Sequence, residues 1–153
     1  MQIIAIFVVT ICWLILLFAD KNVSMARKFN ILLSSDFEQA WRYNIDLVCE
    51  SLDAAGNRTD FQTASIHLAE VGDNLSAPPA DWRKETKLEI TTPECESVRI
   101  LVYVVAHTMI KDRGVGSVKP FDITLKVTAD GEKIYCKPHP VDQRGGAAIG
   151  IEL

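Results

Sequence analysis

The sequence predicts an all-β fold: an antiparallel two-sheet β-sandwich or jelly roll, preceded by one hydrophobic N-terminal helix. Three observations carry this. Apolar residues alternate strictly in several short stretches, most cleanly at Phe121, Ile123, Leu125 and Val127. Turn signals such as Asp53-Ala54-Ala55-Gly56-Asn57 and Asp130-Gly131 recur between those stretches. Ile3 to Ala19 is an apolar run interrupted only by Thr10 and Cys12.

That run divides the 153-residue chain into residues 1–24, an anchor or signal segment, and residues 25–153, one sandwich domain. As a helix it would reach roughly 25 Å, close to the thickness of a bilayer core. Met1-Gln2 adds no side-chain charge before it, while Lys21, Arg27 and Lys28 follow it. By the positive-inside rule this predicts a retained anchor through residues 3–19, with the domain facing the cytoplasm. Two alternatives stay open: a cleaved signal, although Leu17-Phe18-Ala19 offers one small residue where cleavage wants two, and initiation at Met25, which would leave a cytoplasmic protein.

Cysteine and asparagine usage pull in opposite directions. Apart from Cys12, the thiols are Cys49, Cys95 and Cys136, an odd number with no CxxC spacing. They are expected to be reduced and buried, neither a disulfide framework nor a zinc site. Yet Asn22-Val23-Ser24, Asn57-Arg58-Thr59 and Asn74-Leu75-Ser76 are all glycosylation sequons. They keep alive a secreted or lumenal glycosylated module for adhesion or receptor binding.

Along the domain, Phe29 to Leu33 is a short apolar stretch. Trp41, Tyr43, Ile45, Leu47 and Cys49 alternate, so Trp41 to Ser51 is expected as a strand rather than the helix that Phe37, Trp41, Ile45, Val48 and Leu52 would also allow. Phe61 to Val71 is its hairpin partner, and Gly72 to Asp81 is loop. Thr86 to Thr91 is another strand. Val98 to Val105 is apolar at nearly every position, which predicts a central strand, buried on both faces and the most buried of all. Phe121 to Thr128 and Lys133 to Lys137 form a hairpin about Asp130-Gly131, and Gly145 to Leu153 supplies the last strand.

The net charge of −4 and the scattered basic residues exclude a nucleic-acid partner. No GxSxG, HExxH, P-loop or dinucleotide fingerprint is present. His67, His107 and His139 have no local ligand spacing, so a metal-dependent enzyme built on them is the weakest reading. The oxygen-bearing residues say more. Asn44 and Asp46, two apart in a strand, share the face opposite Tyr43 and Ile45. Asp73, Asn74 and Asp81 lie in the long loop, and hard oxygen donors from a strand and a loop are what calcium requires.

Several stretches resemble the tellurium-resistance TerD-like, or stress-response, domain family, over about Trp41 to Leu153. Val98 to His107 resembles that family's central strand, which often ends in histidine. Val115-Gly116-Ser117-Val118 resembles its F-G-x-V loop, with valine for phenylalanine. Gly72-Asp73-Asn74 matches its G-D-N segment, and Ala147 to Leu153 its late strand. The resemblance implies a calcium-binding β-sandwich without catalytic activity. Its D-L-D signature falls on Asn44-Ile45-Asp46, and of its next acidic run only Asp81 remains. The implied ligands are therefore Asn44, Asp46, Asp73, Asn74 and Asp81, with calcium as a weakened cofactor. His107 and the loop from Arg113 to Gly116 are expected beside that ion-binding end. The expected protein is a membrane-tethered stress-response module with a protein partner.

Overall fold

The computed structural model describes residues 25–110 and 118–153. The expected N-terminal helix, its membrane span at residues 3–19, and the Arg113–Gly116 loop lie outside the described residues. No helix among the described residues is long and apolar enough to cross a membrane.

Eight strands form two four-stranded antiparallel sheets: β1 (Arg27–Ser35), β2 (Tyr43–Leu52), β3 (Arg58–Ile66), β4 (Thr86–Cys95), β5 (Ser97–Ala106), β6 (Phe121–Ala129), β7 (Glu132–Val141) and β8 (Ala147–Glu152). One sheet has the order β4-β1-β6-β7 and the other β3-β2-β5-β8. The two pack as a β-sandwich, as the alternation predicts. Its interior is filled by the inward rows of the middle strands: Phe29, Ile31 and Leu33 of β1; Tyr43, Ile45 and Leu47 of β2; Ile123, Leu125 and Val127 of β6. These side chains exclude water from both sheets at once, the main favourable term in such a fold. Phe37 stacks on Phe121, with ring centroids 4.2 Å apart, and closes one end.

The Asp130-Gly131 hairpin forms as its sequence requires. Both residues are left-handed, with φ of 49° and 85°, the backbone of the tight turn that matches strand twist.

Three expectations need correction. Trp41 does not begin β2; it sits in a 3-10 turn, Ala40–Arg42, and the strand starts at Tyr43. In that turn Ala40 and Arg42 are buried and Trp41 is half-buried, so the alternation holds only from Tyr43 onward. β3 ends at Ile66, so residues 67–71 leave the sheet. β5 is central, between β2 and β8, but is not buried on both faces. Val98, Ile100, Val102 and Val104 point inward, while Arg99, Tyr103 and Val105 are exposed. β2 is more deeply buried.

The thiols are also unlike the expectation in part. All three described cysteines are free; Cys49 and Cys95 are buried, but Cys136 is exposed, because its position on β7 faces outward. Burial, and then the neighbouring Cys95, push the Cys49 thiol up to about 12, so it stays protonated and inert.

Candidate functional site

Three of the five expected ligand residues, Asn44, Asp46 and Asp73, gather at one end of the β3-β2-β5-β8 sheet. Asn44 and Asp46 stand on the outer face of β2, opposite Val105 and Tyr103 of β5. The chain after β3 folds back beside them. Asn44 is why. Its Oδ1 accepts from the Leu68 amide at 3.0 Å, and its Nδ2 donates to the Ala69 carbonyl at 2.7 Å. The side-chain amide acts as one extra peptide unit and extends the β2–β3 pairing beyond Ile66. An aspartate could accept the first bond but not donate the second. Asn44 therefore has a structural use here that an aspartate could not serve.

Asp46 is held differently. Its Oδ1 accepts from the Ser65 hydroxyl at 2.6 Å and lies 2.9 Å from His67 Nε2. Asp73 Oδ2 accepts from the Glu70 amide at 2.9 Å, and the Asp73 amide returns a bond to the Glu70 carbonyl. A cleft of about 570 Å³ results, lined by Asn44, Asp46, His67, Glu70, Asp73 and Val105 among others. This is within the range of small-ligand sites.

The wall bearing Asp73 is tied down by the end of β5. The His107 carbonyl accepts from the amides of Gly72 and Asn74, at 3.3 and 3.2 Å. Asn74 Oδ1 accepts from the Met109 amide, and Thr108 Oγ1 accepts from the Leu75 amide. Gly72 and Asn74 have positive φ, 101° and 49°, a conformation that glycine and asparagine tolerate best. The G-D-N segment is thus a docking turn, and Asn74 spends its side chain within it.

His107 itself is a structural residue, 1% exposed. Its Nε2 lies 2.9 Å from the Trp41 carbonyl and its Nδ1 2.8 Å from the Thr108 hydroxyl. The carbonyl can only accept, so Nε2 carries the proton and Nδ1 accepts from Thr108. Alongside lies the buried Arg42 guanidinium, which donates from Nε to the Thr108 carbonyl and from Nη1 to Gln39. Its Nη2 has no hydrogen-bond partner. Burial lowers the pKa of both Arg42 and His107, the Arg42 charge lowers His107 further, and the Trp41 carbonyl and Asp73 oppose this.

A pH dependence follows. With its folded pKa below the ordinary 6.5, His107 favours the neutral form when folded, so the unfolded chain binds more protons in the interval between. Stability should fall as pH drops through about 6.5 and level off once His107 charges in the folded state. Melting temperature measured between about pH 5 and about pH 7.5 should show that slope, and His107→Gln should flatten it. An unchanged slope in the variant would assign it to other groups.

Of the five expected ligands, then, Asn44, Asp46 and Asp73 line one cleft. Asn74 turns the loop behind it, and Asp81 is not part of the lining. Glu70 joins the cleft, unanticipated, because nothing local in the sequence places it there. The three histidines are spent separately: His67 on Asp46, His107 under Trp41, and His139 on the Tyr135 hydroxyl. No three His, Cys, Asp or Glu side chains among the described residues are grouped to hold a metal ion as they stand.

No family model matches the chain, and no curated protein matches it. The crystal structure of a DUF4425 family protein from Bacteroides ovatus is similar to it at 7% identity with a TM-score of 0.42, covering 84% of this chain and 93% of that one. The sandwich assignment itself rests on the strand pairings described above.

Proposed function

We propose that the chain is a membrane-tethered, non-catalytic β-sandwich binding module of TerD-like type, acting in stress response. Residues 3–19 are its tether, the cytoplasm its location, and the cleft its ligand site. The observation that carries the reading is the convergence of Asn44, Asp46 and Asp73, drawn from two separated parts of the sequence, on one cleft.

Strand register gives the reading a geometry. Arg27 opens β1 opposite Cys95, beside the short β4–β5 link, where Leu52 also pairs with Ser97. Asn44 and Val105 lie at the other end of the same ladder. The described chain begins at the end opposite the cleft, and the strands separate the two ends by roughly 25–30 Å. A module anchored through residues 3–19 presents its cleft away from the bilayer.

Calcium would be a loosely held ligand of this cleft, because Asp46, Glu70 and Asp73 are not grouped around one point as they stand and would have to close together on the ion. Asn44 and Asn74 have committed their oxygens to backbone amides. Asp46, Glu70 and Asp73 would hold the ion, with water completing a shell of six to eight oxygens. Such a site belongs at the weak, micromolar-to-millimolar end of protein calcium sites. Bound ion stabilises the folded state by mass action. Millimolar calcium should raise the melting temperature, and Asp46→Ala should abolish the rise while the protein still folds. A melting curve that neither calcium nor magnesium moves would remove the ion from the proposal and leave a protein-binding role.

One observation favours a second reading. Asn57 is exposed in the β2–β3 turn, where its sequon would be accessible in a secreted or lumenal module.

A further inference from the structure

The flank of the sandwich formed by β7 and β8 is built unlike the other. Along one flank β3 and β4 stand close; along this one β7 and β8 barely touch. The inward row of β7, opposite Val127, Leu125 and Ile123, reads Tyr135, Lys137 and His139. Aliphatic residues belong at such positions, and breaks in a binary pattern concentrate at functional places. The Tyr135 hydroxyl lies 3.0 Å from His139 Nε2, and Lys137 Nζ stands 5.5 Å from the centre of the Tyr135 ring. Facing them, Ile149 and Ile151 of β8 are only half-buried. The other polar inward row, Asp60 and Gln62 of β3, satisfies itself through a 2.9 Å bond.

The two edges bordering this seam differ in what they offer a strand. Val98 and Leu153 exchange both backbone hydrogen bonds. In an antiparallel ladder these pairs alternate, so Ile151, Ile149 and Ala147 also bond toward β5. The N–H and C=O groups of Ala148, Gly150 and Glu152 therefore point to the free edge, where no strand among the described residues pairs with them. Their side chains there are small or solvated. β7 offers no such edge. Pro138 and Pro140, two apart, remove successive donors from its free side, a common way to blunt an edge strand.

We infer that β8 accepts an extended strand from a partner protein, one whose inward row alternates apolar side chains with a carboxylate. The backbone would pair with Ala148, Gly150 and Glu152. The apolar side chains would cover Ile149 and Ile151, and the carboxylate would reach Lys137, which is exposed in the seam. A second copy of this chain fits less well, because two-fold pairing of β8 would bring both copies of Lys137 into one seam. The inference is independent of the cleft and of calcium.

The test uses the full chain and two short capped peptides. Each alternates threonine with an inward row of valine, glutamate, valine or of valine, lysine, valine. Amide hydrogen exchange should show Ala148, Gly150 and Glu152 exchanging freely in the chain alone and protected by the glutamate peptide. The lysine peptide should bind about tenfold more weakly. Lys137→Glu should reverse that preference, and Gly150→Pro should abolish binding of both while the melting transition survives. The inference is overturned if neither peptide protects these amides or if Gly150→Pro binds as well as the parent. It is also overturned if the chain alone protects them, either at all concentrations, through its own segment, or only on dimerisation.

Discussion

Val102→Asp should abolish folding. Val102 is 1% exposed in the middle of β5, between Leu47 of β2 and Ile149 of β8. A carboxylate there has no cation and no water, and costs several kcal/mol or forces its own protonation. Total stability for a domain of this size is about 5–15 kcal/mol, so most of it is consumed. The neighbouring substitution, Tyr103→Lys, should leave a folded protein, because Tyr103 is 43% exposed on the outer face beside Asp46. Circular dichroism with a thermal melt distinguishes them. Two equally folded variants would contradict the facing of β5.

Gly146→Ala should be the most damaging small substitution. Gly146 has φ of 72° in the turn that leads into β8, bridged to Asp142. A Cβ there would collide with the backbone carbonyl of Val104. Left-handed strain alone is worth about 1–3 kcal/mol. The collision is with backbone, which cannot rotate away, and the total should reach about 3–5 kcal/mol. Gly131→Ala is the control. It has φ of 85° but no atom within 4 Å of an added Cβ, so it should show the strain and nothing more. Denaturant midpoints measure both.

Much of this fold is local and therefore readable. The β6 alternation and the Asp130-Gly131 turn need no distant partner, and both form as the residues dictate. β5 misleads because Leu101, Tyr103 and Val105 are apolar yet lie on the outer face; composition alone does not reveal which face a second sheet covers. The second half of β7 is hidden by Pro138 and Pro140, acceptable only because β7 is an edge strand. At the site, period two places Asn44 and Asp46 on one face without any structure. That Asp73 and Glu70 join them depends on the His107 carbonyl gripping Gly72 and Asn74, a contact across more than thirty residues. The burial of Arg42 is equally non-local: a charge inside an alternating stretch reads as solvent-facing.

The proposed placement of the domain is tested most directly through Cys136. It is the exposed thiol among the described cysteines, while Cys49 and Cys95 are buried, so the part of the labelling by a membrane-impermeant thiol reagent that Cys136→Ser removes reports on Cys136. Cells making the full chain should show no labelling when intact. Inverted membrane vesicles from the same cells should show strong labelling that Cys136→Ser removes. Labelling of Cys136 in intact cells would contradict the cytoplasmic tethered module and place the domain on the outer side, with the sequon at Asn57.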